Sequence, residues 1–247
     1  MKAMILAAGL GTRLRPLTDD RPKALVTVNG RTLLELTLAR LRAFGVREVV
    51  VNAHHHADAI VEFLKANRNF GMRIEVSIED VLLDTGGGLK KAAPFFLDGA
   101  EEAFLVHNVD VLSTIDLGRL MRFHLEQGAL ATLAVQDRET TRKLLFDGQG
   151  RLCGRRDGRA AKAEGGEPEA ATRALAFSGI HAVSTRIFEK MTERGAFSIV
   201  DTYLRLAAEG EKILAFRTDG SYWRDLGRPE SILEAEREMR DGSYTAA

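Results

Sequence analysis

The chain has 247 residues, of which 45% are hydrophobic and 28% charged, and its 35 Lys and Arg balance 35 Asp and Glu. This ordinary globular composition excludes a disordered or collagen-like chain, and a net charge of zero argues against nucleic acid or an anionic membrane as a partner. Cys153 is the only cysteine, and no apolar run reaches the ~20 residues of a membrane span, so we expect a cytoplasmic protein with small ligands.

The first half of the chain alternates short β-branched runs with segments of helical apolar spacing. We predict strands at 2–7, 46–52, 73–78 and 103–106, and helices at 33–44, 57–66, 88–95 and 116–127. Strands that alternate with helices in this way are typical of parallel sheets with crossover helices. The pattern therefore predicts an α/β fold of the Rossmann-like kind, with a mostly parallel central sheet and helices on both faces.

The second half of the chain is less regular. Strands are predicted at 129–135, 174–182 and 212–217, and across 144–152 with turns at 147–150, while helices are predicted at 187–191, 199–208 and 230–240. Residues 156–173 are rich in Arg, Gly, Ala and Glu and lack an apolar period, which predicts a mobile loop. Because no internal repeat divides the chain, we interpret 1–247 as a single domain with two halves, 1–128 and 129–247.

The strongest functional signal is LAAGLGTRLRPLT at residues 6–18, where a predicted strand enters a glycine loop. Gly9 and Gly11 would let backbone N–H groups approach a phosphate, and the guanidinium groups of Arg13 and Arg15 would neutralise it. A Walker A loop does not fit, and the dinucleotide fingerprint needs a third glycine where Leu14 stands. Glycine pairs are also common in ordinary turns, so the loop alone leaves both interpretations open.

Three further residues could complete a phosphate site. Lys23 follows Arg-Pro soon after the loop, and a lysine is a compact charge suited to phosphate. Asp110 follows the predicted strand at 103–106, at the carboxyl end where ligands bind in open α/β sheets. Asp225 lies far along the chain in the segment WRDLG. Magnesium needs only one or two carboxylates beside substrate phosphates, although either aspartate could simply cap a turn.

The segment LAAGLGTRLRPLT followed by RPKAL resembles the signature of the sugar-1-phosphate nucleotidyltransferase family. The resemblance continues through LLDTGGGLKKA, HNVDV, FSGI and YWRDLGRPES, and so covers nearly the whole chain. It implies an enzyme that transfers a nucleotidyl group from a nucleoside triphosphate to a sugar 1-phosphate and releases pyrophosphate, with Mg²⁺ as cofactor. It also implies the nucleotide-diphospho-sugar transferase fold, with the nucleotide bound by 1–128 and the sugar phosphate by the more irregular 129–247.

The same resemblance implies roles for individual residues. Arg13 and Lys23 would contact the nucleotide phosphates, and Asp110 and Asp225 would bind Mg²⁺, so that all four are candidate catalytic residues. The residues expected to bind the nucleotide are Ala8, Gly9, Gly11, Thr12, Glu79 and Gly87, and those expected beside the sugar are Asn108 and Gly179.

The segment LDTGGG at 83–88 is most similar to that of the bacterial N-acetylmuramate-1-phosphate uridylyltransferases of cell-wall recycling. This similarity favours UTP as the nucleotide and N-acetylmuramate 1-phosphate as the acceptor. The acceptor side matches less well, because residues 136–165 lack the acidic-Lys-Pro motif that many family members use on the sugar. Val109 also stands where glycine is common in the family.

Three alternatives remain at the level of sequence. The first is a guanylyl- or thymidylyltransferase acting on mannose, glucose or heptose 1-phosphate. The second is a non-catalytic regulatory module that binds nucleotide sugars, against which the presence of both cations and both acids argues. The third is a glycosyltransferase of the same fold, which would need an Asp-x-Asp motif where this chain has Asp110-Val111-Leu112. The sequence makes no prediction of oligomeric state.

Overall fold

The computed structural model describes residues 1–157, 160–163 and 172–244. Its strands are β1 (Lys2–Leu6), β2 (Thr27–Val28), β3 (Arg31–Thr32), β4 (Glu48–Ala53), β5 (Arg73–Ile78), β6 (Ala103–Asn108), β7 (Val111–Ser113), β8 (Ala131–Gln136), β9 (Arg142–Phe146), β10 (Leu152–Asp157), β11 (Ala160–Ala163), β12 (Arg173–Ser184), β13 (Ile213–Arg217) and β14 (Trp223–Asp225). Its α-helices are α1 (Leu33–Ala43), α2 (Ala57–Ala66), α3 (Asp84–Lys91), α4 (Ala93–Leu97), α5 (Leu117–Gln127), α6 (Ile187–Lys190), α7 (Ile199–Ala208) and α8 (Pro229–Asp241).

Ten of these strands form one sheet to which both halves of the chain contribute. Strands β5, β4, β1 and β6 lie side by side and run parallel, as the alternation of strands and helices predicted. The long strand β12 then pairs antiparallel with β6, β8 and β9, while β13 runs parallel to β8. The predicted α/β class is confirmed, and each antiparallel pair of this large sheet includes at least one strand from the second half of the chain.

Side-chain alternation along the strands divides the core between the two faces of the sheet. In β1, Ala3 and Ile5 join one buried cluster, whereas Met4 between them joins the other. The first cluster includes apolar residues of α1, α2, α5 and α8, and the second includes those of α3, α4, α6 and α7. Helices therefore cover both faces, and the functional loops are left at the edge where the parallel strands end. None of the helices in the described ranges is long and apolar enough to cross a membrane.

Helix boundaries follow local capping chemistry. The Thr32 hydroxyl accepts a hydrogen bond from the Glu35 N–H at the start of α1, and the Asp116 carboxylate accepts one from the Arg119 N–H at the start of α5. Helix α5 ends at Gly128, whose φ of 57° suits glycine. The helices predicted at 57–66 and 199–208 and the strand predicted at 73–78 have the bounds of α2, α7 and β5.

The helix predicted at 88–95 is wrong in its start, because α3 begins at Asp84 and the glycine run lies inside it. The reason is close packing. A Cβ on Gly86 would lie 2.4 Å from ring carbons of Phe197, and one on Gly87 would lie 2.5 Å from the Gly195 carbonyl oxygen. These glycines therefore allow α3 to lie against the segment that leads into α7, at the cost of helix propensity.

The loop predicted at 156–173 is also partly wrong. Strand β10 runs to Asp157, and residues 160–163 form β11, which pairs antiparallel with it. The ladder is made by backbone hydrogen bonds, so this segment needs no apolar period to join the edge of the sheet. Residues 158–159 and 164–171 of the predicted loop lie outside the described residues.

Buried histidines lie on β6 and β12, and one of them connects β12 to α7. The Tyr203 hydroxyl lies 2.7 Å from Nδ1 of His181, and Nδ1 of His107 lies 2.7 Å from the Asn108 carbonyl oxygen. Burial lowers the pKa of His107 to about 4 and that of His181 to about 3. Both imidazoles are consequently neutral near pH 7.

We predict that the free energy of unfolding falls as the pH is lowered below about 6.5, the usual pKa of histidine in an unfolded chain. The folded-state pKa of His181 lies below the unfolded one, so its contribution is complete above pH 6.5 and is lost as the pH falls toward 3. Between pH 7 and pH 5, the variant His181→Gln should lose about 2 kcal/mol less than the unmodified protein. Urea unfolding at the two pH values measures the difference, and equal losses in both proteins would contradict the assignment.

Candidate active site

The glycine loop leaves the end of β1 and turns back on itself. The Thr18 hydroxyl donates a hydrogen bond of 2.9 Å to the Gly11 carbonyl oxygen. Gly11 has a φ of 63°, and a Cβ there would lie 2.9 Å from the Thr18 methyl and 3.2 Å from Cβ of Lys23. A Cβ on Gly9 would have no neighbour within 4 Å. The loop is therefore closed at Gly11, where it draws Lys23 close, and open at Gly9, where a ligand can approach the backbone.

A short antiparallel ribbon of β7 and β14 brings the two predicted acids together. Asp225 is paired with Val111, the residue that follows Asp110. The Leu226 N–H donates a hydrogen bond of 2.7 Å to the Asp110 carbonyl oxygen, which extends the pairing by one residue. The ribbon thus holds Asp110 and Asp225 next to each other although they come from opposite halves of the chain.

Each acid has a cation from the glycine-loop region as its partner. Lys23 Nζ forms an ion pair with Asp110 Oδ2, and both side chains are 13% exposed. Arg13 Nη2 lies 4.0 Å from Asp225 Oδ2, and these side chains are 57% and 44% exposed. A Cβ on Gly227 would lie 2.6 Å from Asp225 Oδ1 and 2.7 Å from Arg13 Nη2, so a side chain there would displace one of these two groups. Two cations and two carboxylates form one compact charged cluster.

Two cavities meet at this cluster. The first, of about 460 Å³, is named the loop cavity, and its lining includes Ala8, Gly9, Lys23, Asn52 and Leu82. The second, of about 880 Å³, is named the strand cavity, and its lining includes Arg138, Phe177, Gly179, Trp223 and Asp225. Both cavities share Leu6, Asp84, Thr85, Asn108 and Asp110. Two different ligands can therefore approach Asp110 from two sides.

Asn108 and Gly179 are brought together as neighbours at the boundary between the cavities. Gly179 has a φ of 72°, and a Cβ there would lie 2.7 Å from Nδ2 of Asn108. Glycine therefore leaves the space in which the Asn108 amide lies. Trp223 Nε1 donates a hydrogen bond of 2.8 Å to the Ser178 carbonyl oxygen, which ties β14 to the bulge of β12 beside this pair.

Two residues predicted to contact the nucleotide lie behind the cavity wall. Glu79 is 2% exposed and accepts hydrogen bonds from Asn52 Nδ2 at 2.8 Å and from the Leu83 N–H at 2.9 Å. Asn52 Oδ1 in turn accepts one from the Ala7 N–H at 2.7 Å. Glu79 therefore positions Asn52 and the start of the glycine loop. Gly87 is buried inside α3, where its missing side chain serves the packing against Gly195.

Sequence reasoning missed several residues that do line the cavities. Asp84 lines both, and its φ of 58° in a non-glycine residue turns the backbone into α3. Asn52 and Arg138 were also missed, because a polar residue at a strand end has no signature of its own. The predicted residues Thr12 and Arg13 lie on the exposed rim beside Gly11 and do not line either cavity.

The acid pair fits a magnesium ion by its donor chemistry. No group of three or more His, Cys, Asp or Glu that could hold a metal occurs within the described residues. Magnesium, however, is usually held by one or two carboxylates, with waters and substrate phosphates as its other ligands. Asp110 and Asp225 supply two carboxylates at the junction of two cavities, and this is the arrangement that such a shared metal needs.

Comparisons with known proteins place this geometry in a family. The model of the nucleotidyl transferase family matches residues 2–242. The N-acetylmuramate alpha-1-phosphate uridylyltransferase of Caulobacter vibrioides is 34% identical over 97% of both chains. Mannose-1-phosphate guanylyltransferase 1 of Arabidopsis thaliana is 30% identical over 94% of this chain, which spans 63% of that protein.

Solved structures agree at the level of the fold. HddC of Yersinia pseudotuberculosis, complexed with GMP-PN, superimposes with a TM-score of 0.76 at 23% identity, covering 96% of this chain and 99% of that chain. A glucose-1-phosphate thymidylyltransferase structure from Bacillus anthracis, in complex with sucrose, gives a TM-score of 0.79 at 19% identity, covering 98% and 96%. These likenesses support the nucleotide-diphospho-sugar transferase fold predicted from the sequence. The match of the family model over residues 2–242 and the 34% identity to the relative from Caulobacter vibrioides show that this protein belongs to the nucleotidyl transferase family.

Proposed function

We propose that the protein is a Mg²⁺-dependent enzyme that transfers UMP from UTP to N-acetylmuramate 1-phosphate and releases pyrophosphate. The observation that carries this proposal is the position of the acid pair at the junction of two cavities, one of which is bounded by the glycine loop. The relative from Caulobacter vibrioides, similar over 97% of both chains, supports the choice of substrates.

The reaction joins two anions, so its main barrier on the enzyme is their repulsion. A phosphate oxygen of the acceptor attacks the α-phosphorus of the nucleotide in line, and pyrophosphate leaves with the electrons of the broken bond. The attacking phosphate is already ionised near neutral pH, and no general base is therefore needed. The protein has to align the two reactants and offset their charge.

Residues of the loop cavity and of its rim would each contribute to this alignment and charge neutralisation. Ala8 and the open backbone at Gly9 line the loop cavity and form the surface on which the triphosphate lies, and Gly11 and Thr12 follow on its rim. Lys23 faces the loop cavity and supplies a charge to the phosphates near the reacting centre. Arg13 on the rim reaches the outer phosphates, which its exposed position allows. Mg²⁺ held by Asp110 and Asp225 would neutralise phosphate charge on both reactants.

When substrates bind, the cations and the carboxylates of the charged cluster would exchange partners. Lys23 and Arg13 are paired with carboxylates in the structure, and each gains a phosphate instead when the nucleotide enters. The carboxylates released in this way are then free to ligate the metal. The charged cluster consequently stays balanced in both states, which limits the cost of keeping acids at an anion site.

The acceptor is proposed to lie in the strand cavity. Asn108 and Gly179 stand at its inner end, where a sugar hydroxyl could bond to the Asn108 amide. Leu82 and the backbone of Asp84 lie across the loop cavity, where the nucleobase would rest. The larger volume of the strand cavity leaves room for a substituted hexose.

A second candidate is a guanylyltransferase that acts on mannose or heptose 1-phosphate. The relative from Arabidopsis thaliana is a mannose-1-phosphate guanylyltransferase, and the Yersinia structure was solved with the guanine nucleotide GMP-PN. A non-catalytic module is disfavoured because the two cations and the two acids converge at one place.

Pyrophosphate release tests the proposal directly. With Mg²⁺ and N-acetylmuramate 1-phosphate fixed, kcat/KM should be highest for UTP among UTP, dTTP, GTP and CTP. With UTP fixed, N-acetylmuramate 1-phosphate should exceed glucose, mannose and N-acetylglucosamine 1-phosphates. A preference for GTP or CTP would contradict the choice of base, and activity with mannose 1-phosphate alone would contradict the choice of sugar.

The charge of Arg13 should matter far more than that of its neighbour Arg15. We expect Arg13→Ala to lower kcat/KM by roughly 100- to 1000-fold, since it removes a charge that faces the triphosphate in the transition state. Arg15 is 70% exposed and pairs with Asp19 at 3.4 Å, whereas Arg13 lies beside Asp225 of the acid pair, so Arg15→Ala is the matched control and should remain within about threefold. Equal losses in the two variants would show that the loop responds only to total charge.

A further inference from the structure

Arg138 forms part of the wall of the strand cavity, where its guanidinium is held flat. Its carbon Cζ lies 3.5 Å from the centre of the Trp223 ring, a stacking distance. Nη2 donates a hydrogen bond of 2.9 Å to the carbonyl oxygen of Phe177. The side chain of Arg138, which follows β8, is therefore fixed between β14 and β12. A surface arginine, by contrast, would sample many rotamers in solvent.

This guanidinium has no carboxylate as an ion-pair partner within the described part of the chain. Its Nε is buried and has no hydrogen-bond acceptor there. Three other cations line the same cavity. Lys143 lies 3.9 Å from carboxylate oxygens of Asp137 and Glu139, and Arg155 pairs with Asp201 at 2.6 Å, whereas the Arg142 side chain is exposed and stays hydrated.

Burial is costly for the Arg138 cation. Desolvation lowers its pKa from the ordinary arginine value, and the carboxylate of Asp225 acts in the opposite direction. An arginine keeps its proton even so, which leaves a half-buried charge with a carbonyl group and an aromatic face as its partners. An anion that enters the strand cavity would compensate this charge.

The position of Arg138 relative to the acids indicates which anion this is. Trp223 and Asp225 are two residues apart on β14, so their side chains lie on the same face of the strand. A guanidinium stacked on Trp223 therefore lies next to Asp225 on the strand-cavity side. Lys23, by contrast, lines the loop cavity. The two cations approach the acid pair from opposite sides.

We propose that Arg138 binds the phosphate group of the acceptor sugar 1-phosphate, and this proposal rests on the function proposed above. The planar guanidinium presents its donors in a fork that matches two phosphate oxygens. Stacking on Trp223 and the bond to Phe177 fix the plane of the fork before the substrate arrives. Arg138 thereby directs the remaining phosphate oxygen toward the nucleotide. Residues 136–165 lack the acidic-Lys-Pro motif, and Arg138, two residues after the end of β8, supplies a positive charge instead.

The test compares Arg138→Gln and Arg138→Lys with a control arginine that also lies over an aromatic ring. Arg73 on β5 is 5.9 Å from the Phe95 ring and 54% exposed, and it lines neither cavity, so Arg73→Gln controls for the loss of a stacked charge. Calorimetry measures the dissociation constants of UTP, N-acetylmuramate 1-phosphate and glucose 1-phosphate. Pyrophosphate release gives the KM of each substrate in parallel.

Arg138→Gln should raise the dissociation constants of both sugar 1-phosphates by roughly ten- to a hundredfold and leave that of UTP within about twofold. The factor should be the same for the two sugars, because the phosphate is the group they share. Arg138→Lys should recover part of the loss, since it keeps the charge without the fork. Arg73→Gln should bind all three ligands as the unmodified protein does.

The outcomes separate this proposal from the proposed function. Unchanged affinity for sugar phosphates in Arg138→Gln, equal weakening of UTP, or an effect on N-acetylmuramate 1-phosphate alone would overturn the role of Arg138. Sugar phosphates that bind through Arg138 without any release of pyrophosphate would support the site and overturn the proposed reaction. An unmodified protein that binds neither sugar phosphate would overturn both.

Discussion

The pairing of β14 with β7 is the contact on which the functional geometry depends. It joins two strands of three residues each, and it is the only sheet in the described ranges that links Asp225 to the region of Asp110. Because strand register fixes which side chains become neighbours, the Asp225–Val111 pair determines the distance between the acids. The same ribbon carries Trp223, which holds Arg138. One short piece of backbone therefore positions groups on both sides of the reacting centre.

Charge balance explains why the fold tolerates this cluster of acids and cations. The Asp110 carboxylate is mostly buried, and burying its charge without a partner would cost free energy. Lys23 provides the opposite charge. The Arg13 and Asp225 pair is exposed and 4.0 Å apart, so it contributes at most about 1 kcal/mol and opens easily. Arg13 can consequently exchange its carboxylate for a phosphate at little cost, whereas Lys23 needs a stronger competitor. The rim of the site is thus the adaptable part, and its inner end is the fixed part.

The local elements of the fold could be predicted from the sequence where one pattern dominates. The apolar spacing of α2 and α7 and the β-branched run of β5 gave the bounds that the structure has. The start of α3 could not be predicted, because its glycines disfavour a helix locally and are accommodated only through the contact with Phe197. Strand β11 could not be predicted because its sequence is rich in alanine, which has a low β propensity.

The candidate site shows the same division. Motif resemblance pointed to Arg13, Lys23, Asp110 and Asp225, and the structure brings these four together in pairs. The position of Glu79 could not be inferred from the sequence, since only the folded chain shows that its carboxylate accepts hydrogen bonds from Asn52 and Leu83. The role proposed for Arg138 likewise depends on its stacking against Trp223, which is distant in the sequence.

The binding of Mn²⁺, as a spectroscopic substitute for Mg²⁺, tests the central claim most directly. Electron paramagnetic resonance can count the free ion in the presence of the protein, with and without UTP, and the same titration can be made with Asp110→Asn and Asp225→Asn. Because each carboxylate is already neutralised by a cation, the protein alone should bind Mn²⁺ weakly. With UTP present, binding should be at least about tenfold tighter than to UTP in solution, and either substitution should abolish this gain while UTP still binds. Tight binding of Mn²⁺ without UTP, or an undiminished gain in both variants, would contradict the account.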